Sequence, residues 1–256
     1  MEYTVSATAF AQKKKTWSPE RVVYRGALAV SGLSVLYLLS VFVTGQSWLP
    51  YTSFEGAHSE LTLALIQCIL GTAALHVPLL IKKRLQIKMP DALCACFYVF
   101  VLCATVLGEM FSLYYRIPVW DSLLHGSSGV MIGILAVKFL CEKGCRRILS
   151  PGLIALAIIC MTLCVGVFWE IYEFAGDSLL GLNMQKCLLE DGTALVGQAA
   201  LLDTMKDLMM DLTGGIIAAV SACFSLKQKK GWLYAFLEGK MNSEKRDREN
   251  ACVDLQ

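Results

Sequence analysis

The sequence predicts an all-α, polytopic membrane helix bundle of about six transmembrane helices, with both termini cytoplasmic. Three observations carry that expectation. Hydrophobic residues make up 56% of the 256, above the roughly 45–50% of soluble domains. Six apolar stretches, 26–45, 61–81, 92–115, 119–140, 153–176 and 208–226, lie near the ~20 residues that a span needs. Lysine and arginine gather in alternate connections between them, as in proteins whose basic loops stay in the cytoplasm.

The first stretch follows a polar segment with Lys13, Lys14, Lys15, Arg21 and Arg25, and carries no charge. It is too long for a signal-peptide core and no small-residue cleavage site follows, so it is expected to stay as an anchor. The second stretch, also uncharged, has Pro78 near its end, where the ring is easily accommodated, and leads into Lys82, Lys83, Arg84 and Lys88. The third carries Glu109, six residues before Tyr115 and so roughly 9 Å below its outer end. The fourth opens just after Pro118 with Asp121 and His125, and Lys138 near its far end is expected to extend to the inner interface.

Lys143, Arg146 and Arg147 follow, and the fifth stretch ends in two turns with Glu170 and Glu173. The connection 177–202 carries three leucine pairs, suited to lying on the outer interface or dipping into the bundle. Asp203, Asp207 and Asp211 open the sixth helix, and Lys227, Lys229 and Lys230 close it. The domain plan is therefore a cytoplasmic tail 1–24, a membrane domain 25–226 and a second cytoplasmic tail 227–256. That tail begins with Gly231 to Leu237, expected on the bilayer surface with Trp232 and Tyr234 at headgroup level. From 242 on it is charged, polar and expected to be disordered.

The charge asymmetry is the main functional clue. Of the 23 Lys/Arg only Arg116, Lys186 and Lys206 fall toward the outer side, which receives more than half of the 21 Asp/Glu. The net charge of +2 hides this and gives no sign of nucleic-acid binding. The eleven cysteines lie mostly in helices or on the inner side, with only Cys187 in an outer loop. A disulfide framework is not expected. Cys141 and Cys145 have neither the spacing nor the second pair of a zinc knuckle.

Four helices thus deliver acids to one slab of the outer half of the membrane, where an ionised side chain costs about 2.5–3.5 kcal/mol on insertion scales. Asp121 and His125 share a helix face at i,i+4, Glu170 and Glu173 at i,i+3, and the three aspartates repeat every four residues. Carboxylates so gathered repel one another unless protons or a cation neutralise them. Oxygen ligands with one imidazole suit Mg²⁺, Mn²⁺ or Zn²⁺. Asp203, Asp207, Asp211, Glu173 and Glu109 are the candidate metal ligands. His125, oriented by Asp121, is the candidate general base or ligand, and Glu170 the candidate proton carrier.

Plainer readings compete. Asp121 and Asp203 near helix ends can simply reach headgroup water, and the deeper acids can form a structural polar network. Gly126-Ser127-Ser128-Gly129 lacks the spacing and the preceding strand of a serine nucleophile elbow, and instead permits close helix packing. Phe168, Trp169, Tyr172 and Phe174 read as an interfacial aromatic belt.

Three ordered motifs, Asp121-x3-His125-x3-Gly129, Trp169-Glu170-x2-Glu173 and Asp203-Thr-x2-Asp207-x3-Asp211-x2-Gly214, resemble the bacterial YjdF-like family of small polytopic inner-membrane proteins over about residues 90–226. The resemblance implies a multi-helix inner-membrane protein with acidic and histidine positions at these sites, and no particular activity. The aspartate stripe is also similar to the Asp-x3-Asp motifs of membrane prenyltransferases and of alcohol phosphotransferases that use CDP-linked lipids. The second motif of the former and the Asp-Gly-x2-Ala-Arg segment of the latter are absent, so that likeness is one of mechanism.

The functional expectation is an outward-facing, metal-dependent enzyme of the plasma (inner) membrane acting on a lipid or lipid-linked phosphate or ester. The alternatives are a proton- or divalent-cation-coupled transporter or channel, and a non-catalytic membrane protein whose acids fix helix packing. Three histidines are too few for desaturase-type di-iron chemistry.

Overall fold

A computed structural model describes residues 18–49, 58–189, 192–230 and 233–235. The basic segment at Lys13, Trp232 and the tail from 236 lie outside the described residues. The elements are α1 (Pro19–Thr44), α2 (His58–Ala74), α3 (Val77–Arg84), α4 (Asp91–Leu102), a π-helical stretch (Cys103–Met110), α5 (Leu113–Arg116), α6 (Trp120–Glu142), α7 (Pro151–Leu180) and α8 (Gln198–Gln228). Six helical segments are long and apolar enough to cross a membrane, α2–α3 forming the second and α4 with the π stretch the third. Among the described residues strand-like pairing is limited to one bridge, Leu188 to Ala194. The chain is an all-α polytopic membrane bundle.

Local sequence sets the helix ends. Ser18 and Ser150 cap α1 and α7, each side chain accepting from the third backbone N–H onward at 3.4 Å, and each is followed by a proline at the first helical position. Gly45 (φ 70°) and Gly181 (φ 65°) end the same two helices in the left-handed conformation. Pro78 supplies no N–H to the turn before it, and the second span breaks between Ala74 and Val77. In the third span the wider π turns end where the Phe111 N–H reaches back to the Val106 carbonyl, 3.1 Å. Ser112 (φ 58°) then reverses the chain, and Tyr114 folds back over Gly108, where a β-carbon would collide with its ring.

Two three-helix groups result. α1, α2–α3 and α4 with its π extension pack on one another, as do α6, α7 and α8, and the groups meet only sparsely. They share one apolar core built from Leu93, Tyr98, Val137, Ile158 and Ala218. Large apolar side chains such as Leu33, Val43, Phe168 and Val220 face outward, as a bilayer solvent allows.

The helices alternate in direction, so Lys82, Lys143 and Lys227 lie toward one end and Glu109, Asp121, Glu173 and Asp207 toward the other. At the basic end Lys82 donates to both Glu20 carboxylate oxygens at 2.7 and 2.8 Å, and the Tyr98 hydroxyl donates to the same group at 3.3 Å. Lys138 reaches toward the same end. It is 1% exposed and pairs with Glu142 at 3.1 Å, one turn further along α6.

Candidate metal centre at the acidic end

The site begins with glycines. α6 and α8 approach until their backbones touch: a β-carbon on Gly214 would lie 2.5 Å from the Gly126 carbonyl oxygen and 2.8 Å from the Val130 nitrogen. One on Gly129 would lie 2.7 Å from the Asp211 carbonyl oxygen. Small residues at such a crossing let membrane helices gain packing contacts. Here they also bring Asp207 and Asp211 of α8 against Asp121 and His125 of α6. α7 contributes Gly166, where any side chain would collide with the Asp211 carboxylate.

His125 is the hub. Its Nδ1 lies 3.3 Å from Asp211 Oδ2, and the Ser128 hydroxyl sits 3.2 Å from Asp211 Oδ1 and 2.8 Å from the His125 carbonyl, able to donate to either. Its Nε2 faces Asp121 Oδ1 at 3.7 Å and Asp207 Oδ2 at 4.0 Å. Those separations are too long for hydrogen bonds. They suit ligands of one ion, since donor atoms ~2.1 Å from a common metal stand about 3–4 Å apart. One atom from each of Asp121, His125 and Asp207 can be chosen so that all lie within 4.8 Å of one another. Asp207 is 1% exposed and its Oδ1 has no hydrogen-bond partner.

The remaining candidates surround this set. Asp203 accepts from Lys186 Nζ at 3.0 and 3.3 Å, and the same ammonium donates to Asp121 Oδ2. Lys186 comes from the connection after α7, which the Asp177 carboxylate holds down by accepting from the Met184 and Gln185 N–H groups at 2.7 and 3.0 Å. Burial acts to lower the Lys186 pKa, but Asp121 and Asp203 overcome it and hold the ammonium above the ordinary lysine range. The group therefore stays charged through neutral pH. Glu109 and Glu173 line the same cavity as Asp121 and His125, and Glu173 Oε1 accepts from Trp169 Nε1 at 2.8 Å. Tyr114, in the short α5 outside the spans, also lines it; burial first, then the Glu109 and Asp121 charges, push its phenol well above the usual range and keep it a donor. Glu170 is 6% exposed and neither carboxylate oxygen is hydrogen-bonded, with Thr204 and Gln185 beside it. It lies apart from the cavity lining.

Four partners here do not stand out in the sequence. Lys186 leaves a faint signal as one of two basic residues in its set of connections. Trp169, four residues before Glu173, and Ser128, three after His125, have the right helical spacing but fit plainer readings equally well. Tyr114 reaches the site only through the reversal at Ser112.

Chemically, the arrangement offers two carboxylates and an imidazole nitrogen to a cation, with a third carboxylate, Asp211, orienting that imidazole from behind. Metal sites recurrently place a carboxylate on the far nitrogen of a ligating histidine.

Comparison with known proteins agrees with the architecture. A stretch of 111 residues is 32% identical to an uncharacterised protein of Thermotoga maritima, covering 43% of this chain and 50% of that protein's length. No solved structure matches. The family model for predicted membrane proteins designated DUF2238 matches residues 32–228, all six spans among them in whole or in part. With that match over most of its length, the chain belongs to the DUF2238 family of membrane proteins.

Proposed function

We propose that the protein is a metal-dependent enzyme of the plasma membrane that acts on a lipid or lipid-linked phosphate or ester. One observation carries the reading: His125 Nε2, Asp121 and Asp207 converge at ligand spacing while Asp207 keeps a buried, unbonded oxygen. Asp121, His125 and Asp207 hold Mg²⁺, Mn²⁺ or Zn²⁺, and Asp211 orients His125. When bound, the cation would polarise a phosphate or ester oxygen and lower the pKa of a water. Lys186, tied to Asp121 and Asp203, places a second positive charge beside the same head. Glu173 and Glu109, which line the same cavity, are the proton carriers of this reading, with Glu170 a further candidate behind them. The YjdF-like affiliation belongs to the same proposal, supported by the three ordered motifs.

The cavity beside the cluster favours an enzyme over a transporter. Past Gln67 and Ser128 its lining toward the basic end is apolar, with Phe97, Phe100, Met131, Ile132 and Leu135. An ion or proton crossing there would find no ligands.

The test is metal uptake by the full-length purified protein. After chelation, Mn²⁺ at 100 times its Kd should raise stability by about 2.7 kcal/mol, roughly 5–10 °C in Tm for a chain of this size. A Tm that ignores Mg²⁺, Mn²⁺ and Zn²⁺ alike would remove the metal from the proposal.

Sidedness is part of the same reading. The basic connections mark the cytoplasmic face, so the acidic end opens outward and both termini lie inside. Reporter fusions at Lys143 and at the C-terminus should report cytoplasm, and one at Lys186 should report export. An exported C-terminus would turn the site inward.

A further inference from the structure

Resting on the metal reading above, we propose that the cleft between the two three-helix groups seats the hydrocarbon chain of a single-tailed, long-chain phosphate amphiphile, whose head reaches the Asp121, His125 and Asp207 site beside Lys186.

The cleft is one continuous cavity of about 350 Å³ with polarity at one end only. At that end stand Glu109, Asp121, His125, Glu173, Lys186 and Asp211. From there it runs along α6 from Asp121 to Leu135, fourteen residues or roughly 20 Å of helix. On the facing group it continues past Ala104, Phe100, Phe97 and Leu93 as far as Pro78 and Ile81. Such a length exceeds one leaflet, about half of the ~30 Å hydrocarbon core. A cavity of that volume drawn out over that distance is long and narrow. One long chain passing the bilayer midplane matches that length.

Charge assigns the head. A bare carboxylate cluster would repel an anion, but a divalent cation on Asp121, His125 and Asp207 would give a phosphate oxygen a direct ligand position, with the Lys186 ammonium beside it. Tyr114 adds a protonated phenol to the same rim. The two groups meet only sparsely, and on this proposal the chain enters sideways between them without leaving hydrocarbon.

The experiment uses full-length protein in phosphatidylcholine nanodiscs with hexadecyl phosphate, hexadecanol and hexadecyltrimethylammonium as probes. With Mn²⁺ present, hexadecyl phosphate should bind at least about tenfold more tightly than hexadecanol. Ala104→Trp and Ile132→Phe, which narrow the slot away from the metal ligands, should each weaken it about tenfold with Mn²⁺ binding unchanged. Parent-like binding in both variants would overturn the seat, and preference for the cationic probe would overturn the head. A hexadecyl phosphate with a diazirine at the chain end needs no variant: it should label Leu93, Phe97 or Leu135. Labelling confined to outward-facing positions such as Leu33 and Val220 would equally overturn the seat. Should the parent take up no Mn²⁺, the metal reading alone fails, and the seat is still decided by whether the chain-end label enters the slot.

Discussion

Asp207→Asn is expected to strip the protein of its divalent cation and erase the cation-dependent gain in thermal stability. The change keeps the size of a side chain that is 1% exposed, so packing alone predicts almost no effect. Electrostatics without a cation predicts the opposite sign. Asp207 stands beside Asp121 and shares a helix face with Asp203 and Asp211, with one oxygen unbonded, and removing one of several gathered like charges should then stabilise the fold. Only if Asp207 holds a cation does the substitution cost binding. Loss of even an outer-sphere partner weakens metal sites by about 10–100-fold, so a direct ligand should cost at least ~100-fold. Metal analysis of the purified parent and variant, with melting curves at several Mn²⁺ concentrations, separates the three cases. A variant that retains the parent's metal would end the assignment of Asp207. A variant as stable as the parent, with no metal in either protein, would favour a packing network.

Much of this architecture is legible in the chain because a bilayer asks so little of a sequence. A span needs length and apolarity, and both are properties of a window rather than of a tertiary contact. The acid stripe is legible for a related reason, since Asp203, Asp207 and Asp211 share a face by helix periodicity alone. What the chain does not reveal is set by elements distant from each residue. Asp121 and His125 are one turn apart, yet His125 Nδ1 is held by Asp211 from α8 and Asp121 meets Nε2 instead. Asp203 belongs to the stripe, but its partner is Lys186, delivered by a connection that Asp177 pins back onto α7. Within the π stretch before Ser112, Thr105 bonds back to the Val101 carbonyl at 2.8 Å and Tyr114 closes over Gly108. No periodicity announces either contact. Pro78 does announce the break in the second span, although its position near the helix end hides how far back the break falls.

Gly214→Ala should be among the most damaging single-methyl changes in the bundle. The added carbon would sit 2.5 Å from the Gly126 carbonyl oxygen, 2.8 Å from the Val130 nitrogen and 2.9 Å from the Gly129 carbonyl carbon. All three are backbone atoms of α6, so no rotamer change relieves the overlap and the two helices must part. Overpacking of this kind costs about 1–3 kcal/mol or more, a fall of roughly 5–10 °C in Tm at the upper end. Because Asp207 and Asp211 ride on α8, the same movement widens the gap to Asp121 and His125, and cation affinity should fall with stability. Gly32→Ala provides the contrast: it lies within α1 and its β-carbon would have nothing within 4 Å. There the gain of up to about 1 kcal/mol in helix propensity should leave the protein equal or more stable, with cation binding untouched. Melting curves with and without Mn²⁺ on both variants decide the matter. If Gly214→Ala melts with the parent and keeps its metal, α6 and α8 do not touch through their backbones, and the site is not built on that contact.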